Sequence, residues 1–519
     1  MRVLLRADGG AALGAGHIMR CLALADELRG RGCYCVFAMR SIGGHLHAEV
    51  LARGYAVIPL EFDDEPHAAS VMPWLARLRE PRHQIADAEE TLRACAAISC
   101  GLVWDWVAVD HYGLSAVWQD RMRVEAGHIL TIDDLADRTH NCDLLLDQNP
   151  QISGRYRRHL SRECRLLIGP EYALLRHDFQ KTRNELQRQS LPVRPLRVLV
   201  SFGAADEQGV ALDVITALEE CGFGSGQVKV VAGKQNPHLA KLESQCLRLG
   251  YQCESFTDHM AELLAASDLG LGAGGVSMIE RFCMGLPSIV IPIAENQRPG
   301  ARHAKALGAI ELVDPEPQER VAAIATALRD LMLQPDRLQT MSRAACALCD
   351  GRGAGRVAET MQCMGLVARR ATPVDMRNLF DWRNAPQTRL HSGAGEVITL
   401  ENHRRWFDDV LSDSARHMWI AMMGKTPMGV VRFDTHTEDD ELHAVVSVYL
   451  VPGTKGRGWG RAVIACGIAQ AQRAWPALAR IDASISLDNQ ASLRAFAACG
   501  FELGDKANLY HLILRGSSL

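Results

Sequence analysis

The sequence predicts an α/β chain in three parts: two doubly wound, Rossmann-like domains in series, then a smaller α+β domain. Three observations predict it. Short β-rich runs alternate with helical patterns through the first two-thirds of the chain. Breaks fall at 181–195 (polar, ending in two prolines) and at 367–373. The order of elements changes character after the second break. The implied domains are 1–190, 191–366 and 372–519.

The first series of strands is Val3–Arg6, Cys35–Ala38, Ala56–Leu60, Trp106–Val109 and Ile129–Ile132, with helical patterns such as Ile18–Arg29 and Ala86–Ala97 between them. The second is Leu196–Phe202, Val228–Ala232, Leu269–Gly272 and Ser288–Pro292. Two such domains joined by a hinge predict ligand sites at the carboxyl ends of the strands, facing a shared cleft. The last part has helices over Met376–Arg383 and Glu401–Leu411. Strands follow at Trp419–Met423, Pro427–Phe433 and Ala444–Leu450, then a glycine loop and a long helix over Arg461–Arg473. A strand at Arg480–Ser486 and a helix over Asn489–Cys499 complete it.

Composition narrows the function. The chain has 519 residues, 48% hydrophobic and 23% charged, with a formal net charge of -4. That balance argues against a nucleic-acid partner, which calls for a basic surface. No apolar run reaches the ~18 residues that span a bilayer. The opening MRVLLRADGG is too short in its apolar part for a secretory signal. A cytoplasmic protein without a membrane partner is expected. The 16 cysteines are scattered, and Cys346 and Cys349 form a CxxC with no second pair at zinc spacing, so no metal is expected.

Residues 8–20, Asp8-Gly-Gly-Ala-Ala-Leu-Gly14-Ala-Gly16-His17-Ile-Met-Arg20, run from a strand into a helix. Glycines allow close backbone approach to a ligand, and amides at a helix start attract negative charge. His17 falls in the first helical turn, where the positive helix end disfavours imidazolium. A neutral imidazole there takes a proton from water or a hydroxyl; the alternative is a histidine that only caps the turn. A second strand-to-helix turn, Gly272-Ala-Gly274-Gly275-Val276-Ser277-Met-Ile-Glu280, offers amides to a diphosphate and a carboxylate to a ribose; a solvated surface acid is the alternative for Glu280. Asn296 and Gln297 follow a strand end.

These segments resemble the GT-B superfamily of two-domain nucleotide-sugar enzymes. Within it, DGGxxxGxGHxxRCLALA most resembles the UDP-sugar hydrolases of pseudaminic acid biosynthesis. So do Val109-Asp110-His-Tyr112-Gly-Leu, Ile132-Asp-Asp134-Leu-Ala-Asp, Asp147-Gln-Asn149-Pro, Gly169-Pro-Glu-Tyr172-Ala-Leu-Leu-Arg176 and Ser201-Phe202-Gly203. The resemblance covers about 1–366. It implies metal-free hydrolysis of UDP-2,4-diacetamido-2,4,6-trideoxy-β-L-altropyranose with inversion. His17 would be the general base. Asp8, Gly14, Gly16, Tyr112, Asn296 and Gln297 would face the sugar. Phe202, Gly203, Gly274, Gly275, Val276, Ser277 and Glu280 would hold UDP. Ala204 stands where the family pattern has a second glycine.

In the last part, Lys455-Gly456-Arg457-Gly458-Trp459-Gly460-Arg461 lies between a strand and a helix, an anion cradle with three basic side chains. With Asn489-Gln-Ala-Ser492-Leu-Arg-Ala-Phe496-Ala-Ala-Cys-Gly500-Phe501 it resembles the GNAT acetyltransferases. The resemblance implies acetyl-CoA as co-substrate, held in a splay between two central strands. Backbone groups of Val448 and Leu450 would grip its arm, the 455–461 loop its pyrophosphate, and Asn489 its pantetheine. Phe496 takes the place of the family's proton-donating tyrosine and has no proton to give. Leu379-Phe-Asp-Trp-Arg383-Asn384 and Glu401-Asn-His403-Arg-Arg-Trp406-Phe407 resemble the subgroup acting on UDP-4-amino-4,6-dideoxy sugars. His403, Glu441 and His443 stay open as acceptors of the amine proton. Together the resemblances imply N-acetylation of a UDP-linked amino sugar followed by loss of UDP. A glycosyltransferase, a hydrolysing epimerase and a module serving only as scaffold are the competing readings.

Overall fold

The first sheet is built from β1 (Arg2–Ala7), β2 (Tyr34–Arg40), β3 (Ala56–Leu60), β4 (Trp104–Asp110), β5 (Ala126–Ile132), β6 (Leu144–Asp147) and β7 (Arg165–Ile168). Their order is β3-β2-β1-β4-β5-β6-β7, and β1–β4, β2–β3, β4–β5, β5–β6 and β6–β7 pair in parallel. The computed structural model describes residues 1–10, 13–61, 71–99, 103–150, 154–161, 163–186, 196–203, 206–233, 236–390, 396–504 and 508–514, without the side chains of 71–74 and 98–99. Strands covered on both faces read as continuous apolar runs, and Val3, Leu4, Leu5, Trp106, Val107 and Ala108 are wholly buried.

The second sheet has β8 (Val198–Ser201), β9 (Val228–Val231), β10 (Gln252–Glu254), β11 (Leu269–Gly272), β12 (Ser288–Val290) and β13 (Glu311–Leu312), in the order β10-β9-β8-β11-β12-β13. Every pair is parallel. In both sheets the strand order reverses beside the first strand, between β1 and β4 and between β8 and β11. Ligands of open parallel sheets collect at such points, outside the carboxyl ends.

The third sheet comprises β14 (Leu366–Arg370), β15 (Arg416–Met423), β16 (Thr426–Glu438), β17 (Glu441–Leu450), β18 (Leu478–Ser484), β19 (Glu502–Leu503) and β20 (Leu509–Ile513), in the order β14-β15-β16-β17-β18-β20-β19. All its pairs are antiparallel except β17–β18. Asp439 and Asp440, at φ 49° and 63°, turn the β16–β17 hairpin with the positive dihedrals that a tight two-residue turn needs. Strand alternation sends Trp419, Ala421 and Met423 to one face, against the helix Trp459–Ala474. Met418, Ile420 and Met422 go to the other, against the helices Met376–Asn384 and Leu400–Ser412.

The chain divides into two compact units: Arg2–Glu27 with Cys35–Val357, and Met1 with Leu28–Tyr34 and Ala358–Leu519. The expected breaks differ from the structure in two ways. Lys181–Glu185 continues the helix His177–Glu185 rather than starting a linker, because Phe179 anchors that helix in the core; residues 187–195 lie outside the described ones. The third sheet starts at Leu366, ahead of the expected 372, since Leu366–Arg370 pairs with Met423–Trp419. Among the described residues no helix is long and apolar enough to cross a membrane.

Candidate active sites

At the first reversal point, Ala7 of β1 stands opposite Asp110 of β4. The helix Gly16–Gly30 begins just beyond β1 and places His17 in its first turn. Nδ1 of His17 lies 2.6 Å from Asp110 Oδ1. Arg20, one turn on, grips the same carboxylate through Nε (2.5 Å) and Nη2 (2.6 Å), and its Nη1 reaches Asp134 at 3.3 Å. Burial alone would raise the Asp110 carboxyl, but Arg20 and His17 outweigh it and hold the group well below the usual carboxylate range. The imidazole is therefore held through Nδ1 by an anion, while Nε2 has no hydrogen-bond partner among the described residues. Tyr112 packs edge-on against it at 4.5 Å between centroids and donates its hydroxyl to Asp134 at 3.2 Å. His17 and Tyr112 thus lie together, and Asp110, Arg20 and Asp134 complete the cluster.

Two other residues expected at the sugar are engaged within the protein. Asp8 is wholly buried: Oδ1 takes Arg6 Nη1 at 2.6 Å and the Arg40 amide at 2.8 Å, and Oδ2 lies 3.2 Å from His111 Nε2. It belongs to a network in which Asp87 also binds Arg6, Arg40 and the Trp118 indole. Gly14 spends both its backbone groups on Gly10, at 2.8 and 3.3 Å, and so closes the loop on itself. Gly16 opens the helix with clear space around its Cα. Ala11 and Ala12 lie outside the described residues.

At the second reversal point β11 runs through Ala273-Gly274-Gly275 into the helix Val276–Cys283. A Cβ on Gly272 would sit 2.2 Å from the Ser201 carbonyl, so only glycine lets β11 and β8 end this close together. Val276, Ser277 and Gly275 are half-buried along the helix start, and the Ser277 hydroxyl donates toward the Ala273 and Gly274 carbonyls at 3.4 and 3.3 Å. Glu280, on the next turn, is half-buried; burial pushes its carboxyl up to about 7, against the opposing pull of Arg176 and Arg281. Its carboxylate makes no hydrogen bond or ion pair among the described residues. Gly203 follows β8 in open space. Phe202 is core, packed among Val200, Val210 and Ile291. Gln297 is half-buried, and its Oε1 accepts the amides of Gly274 and Ile293, both at 3.1 Å, bracing the glycine loop. Asn296 stands exposed on the same short turn. The departure at Ala204 lies outside the described residues.

In the third sheet, β18 pairs with β17 from Leu442 to Val445 and no further. Among the described residues, the last stretch of β17, with Val448 and Leu450, has no partner on that side. This is the opened pair of strands that the cofactor expectation requires. Gly456 and Gly458 take φ of 80° and 78°, and Gly458 caps the helix Trp459–Ala474. Lys455 and Arg457 are exposed on this loop, and Gly460 is half-buried. Three expected contacts are otherwise engaged. Trp459 is core, 2% exposed. Arg461 pairs with Glu359 at 2.7 Å. Asn489 caps the helix Gln490–Ala497 by accepting the Ser492 amide at 3.2 Å. Phe496 packs edge-on against Phe501 in the core.

The three open choices for the amine base separate here. His443 stands six residues before Tyr449 on β17, roughly 20 Å along the strand, and Glu441 is farther still. His443 is also flanked by Glu438 (3.2 Å) and Glu441 (3.5 Å). His403 lies instead among Phe380, Trp406 and Phe407, on the face that carries Tyr449. Burial, then Arg383, pulls its imidazole below the ordinary 6.5, and Nε2 has no hydrogen-bond partner among the described residues. Arg383 and Arg432 both act on the Tyr449 phenol, which burial pushes up, and Nη1 of Arg383 has no hydrogen-bond partner among the described residues.

One group among the described residues has donor atoms close enough for a metal: His436, His443 and Asp482, on adjacent strands β16, β17 and β18. A cation already sits beside it. Arg480 binds Asp482 at 3.0 Å and Glu438 at 2.9 Å.

Residues 366–502 match the acetyltransferase (GNAT) domain family, and residues 200–358 match the glycosyltransferase family 28 C-terminal domain. The chain is similar to an uncharacterised protein of Methanocaldococcus jannaschii, 21% identical over 433 residues, covering 82% of this chain and 80% of that one. It is 24% identical over 272 residues to the UDP-2,4-diacetamido-2,4,6-trideoxy-beta-L-altropyranose hydrolase of Campylobacter jejuni, covering 52% and 83%. It is 23% identical over 375 residues to a spore coat polysaccharide biosynthesis protein of Bacillus subtilis, covering 70% and 98%.

Proposed function

We propose, for a chain that joins a GT-B glycosyltransferase-like fold to a GNAT domain with acetyl-CoA as co-substrate, two consecutive reactions on one nucleotide sugar. The GNAT domain acetylates the amine of a UDP-4-amino-4,6-dideoxy sugar. The GT-B-like part then hydrolyses the product, UDP-2,4-diacetamido-2,4,6-trideoxy-β-L-altropyranose, with inversion. The relative in Campylobacter jejuni carries that hydrolase name.

The observation that carries the hydrolase reading is the Asp110–His17 pair at a strand-reversal point. With Nδ1–H donated to Asp110, Nε2 is left as the acceptor of a proton from water. The water oxygen attacks the anomeric carbon as its proton passes to Nε2. The bond from that carbon to the β-phosphate oxygen breaks, and UDP leaves. Amides at the start of Val276–Cys283 receive the negative charge, and Glu280 accepts from the ribose hydroxyls. In the acetyl transfer the amine attacks the thioester carbonyl while His403 Nε2 takes its proton. The carbon–sulfur bond breaks, and the thiolate departs. A thiol of pKa ~8.5 makes an unprotonated leaving group tolerable, which fits a phenylalanine at 496. Arg383 and Arg432 suit the diphosphate of the acceptor.

The intact chain, given acetyl-CoA and the UDP-4-amino sugar and no other acceptor, is expected to yield CoA, UDP and the free diacetamido sugar by mass spectrometry. Acetylated UDP-sugar accumulating without UDP release would instead favour a glycosyltransferase lacking its acceptor.

A further inference from the structure

Arg281 follows Glu280 on the helix behind the second glycine loop, and it is 3% exposed. Its side chain turns back beneath the ends of the strands. Nη2 donates to the Ala273 carbonyl at 2.5 Å. A Cβ at Gly270 would lie 2.8 Å from its Cδ, and a Cβ at Gly272 would lie 2.7 Å from its Nη1. Gly270 and Gly272 are two apart on β11 and so share a face. The bare face they leave is the channel the arginine fills. The same Gly272 position abuts the Ser201 carbonyl at the end of β8. The guanidinium therefore lies at the reversal point itself, under the Ala273–Gly275 turn.

This cation has no ion-pair partner among the described residues, and its Nε has no hydrogen-bond acceptor. Among the described residues the acidic group that acts on it is Glu280, which projects from the helix about 100° away. Burial pulls the guanidinium down to about 10, with only Glu280 opposing. A buried, uncompensated charge is costly, and a site that keeps one is arranged for the opposite charge to arrive. Elsewhere in the chain buried arginines are paired: Arg6 with Asp8 and Asp87, Arg20 with Asp110, Arg40 with Asp87.

We infer that Arg281 is the buried counter-charge of the glycine loop, a positioning residue that makes the loop select a diphosphate over an uncharged nucleoside. This rests on the nucleotide reading of the loop given above. The anion takes the amides of the helix start from above, while the guanidinium holds the Ala273 carbonyl turned away below. The charge acts through the loop without touching the ligand.

The test is calorimetric titration of the full chain with UDP, UMP and uridine. Arg281→Gln and Arg281→Met remove the charge, the second filling the channel with an unbranched apolar chain. Arg281→Lys keeps the charge. Each uncharged variant is expected to weaken UDP about tenfold or more, UMP less, and uridine less than about twofold, with the lysine variant within about threefold of the parent for UDP. Equal losses for UDP and uridine, or unchanged UDP affinity in an uncharged variant, overturn the assignment. If the parent chain binds neither UDP nor uridine, the nucleotide reading of the loop fails instead, and that outcome is distinct from variants that match a binding parent. If one uncharged variant does not fold, the other and the lysine variant carry the comparison.

Discussion

Asp110 and His17 are 93 residues apart in sequence and 2.6 Å apart in space, joined because β1 and β4 are neighbours at the point where the first sheet reverses its strand order. A carboxylate fixed on Nδ1 sets the tautomer and orientation of the ring, so the two residues act as one device.

His17→Ala and Asp110→Asn are accordingly expected to lower UDP release from the diacetamido sugar by about 10²–10⁴-fold each. Acetyl transfer by the same variants should stay at the parent rate. Both rates are read from one reaction by following CoA thiol and UDP separately. An Asp110→Asn chain with full hydrolytic activity would show that the pair is only structural.

Asp8 tests the opposite assignment. It was expected at the sugar and lies in a sealed network with Arg6, His111 and the Arg40 amide. Breaking one member of a buried ion network leaves a charge without its partner, at a cost of about 3–5 kcal/mol. Asp8→Asn should lower the unfolding transition of the unit formed by Arg2–Glu27 and Cys35–Val357 by calorimetry, with little change in the KM for the UDP-sugar. A raised KM at unchanged stability would restore Asp8 to the substrate.

Much of this was legible in the sequence for a local reason. Strand-to-helix glycine turns are written in consecutive residues, so Gly272–Gly275, Gly456–Gly458 and the turn before His17 could be placed without knowing what lies beside them. What escaped was set by tertiary pairing. Asp110 ends an apolar strand, and its partner is fixed only by the adjacency of β1 and β4. Asp8, Gln297 and Asn489 carry side chains suited to ligands, yet each satisfies nearby backbone or buried charge, as polar groups near loops commonly do. Trp459 sits inside a loop motif but points into the core. Arg281 carries no local signal, because the channel that receives it is made by two glycines of another element.

Glu280 predicts a pH dependence. Burial raises its carboxyl to about 7 from an ordinary 4.5, so the folded protein holds a proton that the unfolded chain has released. That contribution to stability is full below about 4.5 and is lost as pH rises through about 7. A ribose that donates its hydroxyls needs the ionised form. Uridine, which has no phosphate to titrate, is therefore expected to bind more tightly as pH rises from 6 to 8, with the midpoint about 7. Glu280→Gln should flatten that profile. A pH step that persists in the glutamine variant would locate the titrating group elsewhere.

His403 carries the last prediction. Its imidazole is held below the ordinary 6.5, first by burial and then by Arg383, so it is neutral at pH 7, as the proposed base must be. The acid limb of kcat/KM for acetyl transfer should therefore fall below pH 6.5. The same depressed value means that the unfolded chain takes up a proton first. Stability of this unit is present above 6.5 and declines as pH falls below it, in the same direction as for His417, held at about 4. Rates must thus be paired with a folding control at each pH. His403→Gln is expected to lower kcat by about 10²–10⁴-fold with acetyl-CoA affinity unchanged, and to abolish the acid limb. His443→Ala, at the far end of β17, should leave both intact. If His443→Ala removed the limb and His403→Gln did not, the amine would have to bind at the other end of the strand, away from the opening beside Val448 and Leu450.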